Sequence, residues 1–296
     1  MDKPCIITIV GPTASGKSAL AIDLALALGG EVISADSRQV YRGMDIGTGK
    51  VTPEETRGVP HHLLNIADPV TDTYTATDFK YDAEAAITDI VSRGTVPIIC
   101  GGTFFYLDVL RGKMQPAPVP PNPPLRAELE ALPLPALLEH LHSIDRRRAT
   151  TIDTKNPRRL IRAIEIATAL GHVPEPIVTD SPYEWKMFGI EITPETLRTR
   201  IASRLDERLT AGMTHEVADL RTQGVSDERL ISFGLEYRFI TEHLRGDYDY
   251  ETMRTKLYYA ICQYAKRQRT WLRRDDTITW LSFPVTAAQV LTHLQK

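Results

Sequence analysis

The eight residues GPTASGKS, positions 11 to 18, constrain this chain more than any other stretch. They satisfy the G-x-x-x-x-G-K-[ST] spacing between a β-branched apolar run, CIITIV, and a helical pattern, ALAIDLALALGG, which Gly29 and Gly30 stop. A strand, a glycine loop and a helix in this order turn backbone amides inward around an anion, and the helix start adds its dipole. Gly11, Pro12, Thr13, Ala14, Ser15 and Gly16 form the cradle, Lys17 supplies a point charge, and Ser18 offers a hydroxyl to magnesium. A lysine and a hydroxyl at these places have no packing role, which argues against a glycine turn that binds nothing. The chain must therefore fold around a strand end that grips a di- or triphosphate. The loop leaves open which bond is broken.

EVISAD reads as a second strand, DFKYDAEAAITDIVSRG as an amphipathic helix capped by Asp78, and TVPIIC as a third strand ending at GGT. Strands alternating with helices predict an α/β fold, a P-loop parallel sheet with helices on both faces. Ligands bind beyond the carboxyl ends of such strands, so the ends leading into Gly11, Asp36 and Gly101 should converge on one crevice. The proline-rich stretch KMQPAPVPPNPPLRAELEALPLP is a poor helix or strand before Leu125 and reads as a connector leaving the sheet. The expected organisation is a first part of the core over 1–116 and a mostly helical insertion over 117–200. Residues 201–296 then return to the core with basic helices, and TITWLSF supplies a last strand.

A net charge of -3 over 296 residues gives no global reason for a polyanionic partner, but charge averages over unlike faces. Residues 254–274 carry seven basic side chains and no acidic one, and 146–162 carry seven against Asp153. Interleaved with Tyr258, Tyr259, Tyr264 and Trp271, the later run fits a surface that tracks phosphates and stacks bases, although helical spacing turns part of it inward. Cys5, Cys100 and Cys262 have no paired spacing and read as thiols of a reducing compartment. No apolar run reaches 18 residues, and MDKPCIITIV reads as a strand, so we expect no membrane span and a cytoplasmic location; with no exposed apolar stripe evident, we also expect a monomer. His61 and His62 are adjacent, with no pattern that completes a metal site, and read as structural or as crevice lining.

Asp36 closes the second strand, where a carboxylate can take a proton from an incoming nucleophile. The following SRQVYRG offers an amide, guanidinium groups and an aromatic ring suited to a nucleobase. On the residues alone, a P-loop small-molecule kinase and a non-catalytic nucleotide- or RNA-binding module both remain open.

Six stretches in order, GPTASGKS, ISADSRQVYRGMDIGTGK, GVPHHLLNIADP, CGGTFFYLDVLRG, NPRRLIRAIEI and YAKRQRTWLRR, resemble the tRNA dimethylallyltransferases, the IPP transferase family. The resemblance implies transfer of a dimethylallyl group from dimethylallyl diphosphate to the N6 amine of the adenosine beside the anticodon, with magnesium and release of diphosphate. It implies that Asp36 is the general base, that Thr103 lies beside the target nucleotide, and that Arg204 meets the diphosphate with Arg200 one turn before it. Ser37, Arg38, Gln39, Arg126, the run Arg158, Arg159, Leu160, Ile161 and Arg162, and Lys266 with Arg267 match the tRNA-contacting positions. The tRNA partner would be bound at its anticodon stem-loop, where extruding a base costs least. Two departures stand out. Ile261 and Cys262 replace a threonine-arginine pair, removing a phosphate contact, and Glu236 stands where the family commonly has glycine.

Overall fold

The computed structural model describes residues 3–295. One sheet of parallel strands contains β1 (Cys5–Val10), β2 (Gly30–Ala35), β3 (His61–His62), β4 (Val96–Gly101), β5 (Glu184–Glu191) and β6 (Ile278–Ser282), in the spatial order β3-β2-β4-β1-β5-β6. Side chains alternate across a strand, and β1 shows the consequence. Ile6 and Val10 pack with Phe79 and Ile87 of the helix Ala76–Ser92 and Leu107 of the helix Phe104–Leu110. Ile7 and Ile9 pack on the other face with Leu20 and Leu24 of the helix Lys17–Leu28 and Val290 of the helix Ala287–Leu294. Both faces are covered, as a fully parallel sheet requires, and the expected α/β class is what the chain adopts.

Two local expectations change. The helix Ala76–Ser92 begins before Asp78: Thr75 is its cap, and Asp78 is the third residue of a capping box whose carboxylate returns to the Thr75 amide at 2.8 Å. An acidic residue in a first turn favours either position, and the upstream threonine takes the cap because its hydroxyl already faces the Asp78 amide. The helical insertion is also shorter than 117–200. Residues 184–191 are β5, paired with β1 from Cys5↔Glu184 to Val10↔Gly189 and with β6 on its other side. Only Met187 to Ile190 of this strand are buried, a four-residue signal interrupted by Gly189, too short to stand out in sequence.

The described residues up to Arg111 and from Asp180 onward form one compact unit, and Gly112–Thr179 form a second. Within the first unit, helices Pro194–Thr210, Met213–Thr222, Asp227–Phe233, Leu235–Leu244 and Tyr250–Leu272 share a core that includes Leu205, Val217, Tyr237 and Leu257. The second unit packs Leu129, Leu137, Leu141, Leu160 and Ile164 from its own helices. Its helix Pro123–Glu130 starts inside the proline run, because Asn122 caps it and prolines are tolerated in a first turn. The two histidines are structural. His62 Nε2 lies 2.7 Å from Glu31, which Arg93 also grips, and His61 Nδ1 lies 2.8 Å from the Val59 carbonyl.

Candidate active site at the strand ends

The loop after β1 closes as its spacing predicts. Gly16 caps the helix Lys17–Leu28 at φ 93°, a left-handed conformation that leaves the first amides of the helix facing outward without a side-chain cap. Ala14 is also left-handed, at φ 61°, and such strain in a residue with a Cβ persists only where its surroundings hold it. Here the holder is Arg200, whose Nε donates to the Ala14 carbonyl at 2.8 Å. The Ser15 amide donates to the Pro12 carbonyl at 3.3 Å, and Lys17 Nζ reaches the same oxygen at 3.3 Å.

A cavity of about 440 Å³ opens on this loop, lined among others by Gly16, Lys17, Ser18, Arg200 and Arg204. The i, i+4 spacing of the two arginines thus delivers both to one anion-sized space. Arg208, one turn further, was not singled out by sequence, although RTRIASRLDER repeats arginine every fourth residue from Arg200. It reaches the Gly47 carbonyl at 3.4 Å and lies 3.6 Å from Glu236. Burial pushes the Lys17 ammonium below its ordinary pKa, with Arg204 and Arg208 adding to the effect and Cys100 and Asp36 opposing it. Burial likewise lowers Arg204 to about 10, helped by Arg208. Lys17 and Arg204 thus share one cavity at a cost to their own charge, a cost that an anion between them would relieve.

Glu236 is where the departure from the family pattern becomes chemically legible. It sits in the first turn of the helix Leu235–Leu244, and burial raises its carboxyl while Arg208 draws it down. The preceding Leu235 is left-handed at φ 38°, so the local turn is strained. Ile261 is buried in the helical core, and Cys262 packs against the same core.

Asp36 follows β2 directly. Its Oδ1 accepts the Arg38 amide at 2.9 Å and the Gln39 amide at 3.4 Å, which turns the chain sharply. Thr103, after β4, accepts the Ser37 amide through Oγ1 at 3.1 Å and donates its own amide to the Ala35 carbonyl at 3.2 Å. Asp36 and Thr103 are therefore brought to the same strand ends as the phosphate loop. The side chains of Arg38 and Gln39 are largely committed within the protein. Arg38 Nε donates to the Phe233 carbonyl at 2.9 Å, and Gln39 accepts from Ser34 at 3.0 Å.

Lys266 and Arg267 are exposed on the helix Tyr250–Leu272, and the Arg267 guanidinium lies 5.8 Å from the Tyr264 ring centre. Of the stacking candidates, Tyr259 is exposed, whereas Trp271 donates its indole N–H to Asp108 at 3.2 Å. In the second unit, Arg126 makes two 2.8 Å bonds to Glu165, and Arg158 is exposed. Arg159 pairs with Asp153 at 3.6 Å, and Arg162 donates to the Val119 carbonyl at 2.6 Å. Leu160 and Ile161 are buried in the apolar centre of that unit, so within the run Arg158 to Arg162 it is the arginine side chains that remain at the surface.

Two residues that the sequence did not flag organise the site. Gln268 bridges the loops after β1 and β4, accepting from the Thr13 amide at 2.8 Å and donating to the Gly102 carbonyl at 3.0 Å. Glu216 accepts the amides of Asp45 at 2.9 Å, Ile46 at 2.6 Å and Gly47 at 3.0 Å, and the Tyr237 hydroxyl at 2.9 Å. The loop it pins leads into Gly49, which lines the cavity. Glu216→Ala strips four donors of their acceptor, and we expect a loss of about 1–3 kcal/mol in urea unfolding. A weaker hold on a diphosphate ligand should accompany it. An unchanged unfolding midpoint would show that water replaces the carboxylate at no cost.

A family model described as IPP transferase matches residues 39–275. The chain is 44% identical over 284 residues to a tRNA dimethylallyltransferase 1 of Porphyromonas gingivalis, covering 93% of each chain. It is 42% identical over 281 residues to a tRNA dimethylallyltransferase of Thermomicrobium roseum, covering 93% of this chain and 85% of that one. Among solved structures, a full-length tRNA isopentenylpyrophosphate transferase of Bacillus halodurans is similar at a TM-score of 0.73 and 34% identity, over 99% of this chain and 95% of the other.

Proposed function

Because the chain belongs to the IPP transferase family, we propose that it moves a dimethylallyl group from dimethylallyl diphosphate to N6 of the adenosine beside the anticodon of tRNA. It is a prenyltransferase of tRNA modification. The observation that carries the finer reading is the meeting of a phosphate loop, Asp36 and Thr103 at three adjacent strand ends. In this reaction the N6 lone pair attacks the allylic carbon, the new N–C bond forms as the C–O bond breaks, and diphosphate leaves with the bonding electrons. Asp36 takes the proton that the amine loses. The amides after Gly16, together with Lys17, Arg200 and Arg204, stabilise the charge that grows on the leaving oxygens.

Ser18 lines the cavity, and among the described residues no group of three or more His, Cys, Asp or Glu side chains could cage a metal. The Ser18 hydroxyl, a hard oxygen donor beside the phosphate loop, would hold a magnesium ion that enters with the diphosphate. Such an ion would supply further positive charge to the leaving group. Lys266, Arg267, Arg126, Arg158, Arg159 and Arg162 serve the tRNA backbone, a role their exposure or charge permits and that salt dependence would reveal. Among the described residues no helix is long and apolar enough to cross a membrane. We place the enzyme in the cytoplasm, acting as a monomer.

The test is incubation with magnesium, labelled dimethylallyl diphosphate and unmodified tRNA, with ATP and small acceptors in a parallel reaction. Label should enter tRNA and depend on it. ATP turnover independent of tRNA, with no label transferred, would instead make the loop a nucleotide site for phosphoryl transfer.

A further inference from the structure

Gln268 lies on the helix Tyr250–Leu272 and is 5% exposed. Its amide is a planar group that accepts and donates at once without carrying charge. Both halves are used. Oε1 takes the amide of Thr13, 255 residues away, and Nε2 meets the carbonyl of Gly102, 166 residues away. A Cβ at Gly102 would stand 2.6 Å from Nε2, so a larger residue there would move the Gln268 amide off the carbonyl.

The backbone ladder between β1 and β4 runs from Ile7↔Ile98 to Val10↔Gly101. Beyond that pair the two chains diverge, one into the phosphate loop and the other into Thr103. From Gly102 the connection continues through Thr103, whose amide meets Ala35 and whose hydroxyl takes the amide of Ser37. Those two residues flank Asp36. Hydrogen bonds and the peptide link between Gly102 and Thr103 thus tie the loop that holds the leaving group to the two backbone neighbours of Asp36, and Gln268 is the link between the loops after β1 and β4.

We propose that Gln268 is a positioning residue that fixes the spacing between the diphosphate loop and the acceptor loop after the sheet has ended. Its effect on rate rests on the prenyl-transfer reading, while its effect on the phosphate loop does not. Gln268→Met removes both bonds at similar volume. Gln268→Glu keeps an acceptor for Thr13 but sets a carboxylate against the Gly102 carbonyl.

The experiment uses the full chain and two probes: titration with inorganic pyrophosphate plus magnesium, and single-turnover prenyl transfer to tRNA. In Gln268→Met we expect pyrophosphate to bind about tenfold more weakly and transfer to slow about tenfold or more. The melting temperature should fall by several degrees at most, for the two backbone groups left without a partner, so the variant is still folded at the assay temperature. Gln268→Glu should lose at least as much rate. Combined with Thr103→Ala, the loss in Gln268→Met should be smaller than the product of the single losses, because both changes cut the same set of bonds. Unaltered affinity and rate in both variants would overturn the proposal. So would a cycle in which the losses multiply, or a variant that merely contains fewer active molecules turning over at the normal rate. An unaltered protein that binds pyrophosphate yet transfers nothing to tRNA would defeat the prenyl-transfer reading instead, and the pyrophosphate affinities would still decide the role of Gln268.

Discussion

Asp36→Asn is expected to slow prenyl transfer by about 10²–10⁴-fold while tRNA still binds with near-normal affinity. Asparagine keeps an Oδ1 for the amides of Arg38 and Gln39, at 2.9 and 3.4 Å in the unaltered chain, so the turn after β2 survives. What disappears is the negative charge able to accept a proton from the exocyclic amine. Asp36→Ala removes the turn as well, and comparing the two variants separates geometry from proton transfer. Single-turnover transfer, tRNA binding and thermal melting on each variant make the measurement. An asparagine variant with undiminished rate would mean that the amine loses its proton elsewhere, after the carbon–nitrogen bond has formed.

Lys17→Met should lower kcat/KM for the diphosphate donor by about 10²–10³-fold, with tRNA affinity little changed. The ammonium lines the cavity together with Arg200 and Arg204, and methionine keeps its length without the charge. A pH signature follows. Burial lowers the pKa of Lys17 below 10.5, so in the ligand-free protein this cation is lost at a lower alkaline pH than an exposed lysine would lose it. Donor kcat/KM should therefore fall as pH rises through the lowered value, earlier than an exposed lysine would make it fall. The same fall should be missing from the Lys17→Met profile. If both profiles decline alike, another group governs the alkaline limb.

The phosphate loop, the α/β class and the convergence of Gly11, Asp36 and Gly101 were legible because each is written locally. A glycine spacing between a strand and a helix dictates its own backbone, and β1, β2 and β4 carry continuous buried runs. The pairing of Arg200 with Arg204 was legible for the same reason, since one helical turn sets it. β5 was not, because its burial comes from lying between β1 and β6 rather than from a pattern of its own. The burial of Leu160 and Ile161 within the run Arg158 to Arg162 was not legible either, because a contiguous run in sequence is not a contiguous surface on a helix.

By itself, then, the sequence determined the chemistry available at each strand end: an anion cradle, a carboxylate and a hydroxyl. Tertiary structure alone decided how those ends are held against one another. Arg208, Glu216 and Gln268 act on backbone atoms of loops more than 160 residues away, at Gly47, Asp45 to Gly47, Thr13 and Gly102. A backbone amide or carbonyl has no side-chain identity to pattern, so contacts of this kind leave no mark in the order of residues. They exist only once the helices that follow β5 have packed against the sheet.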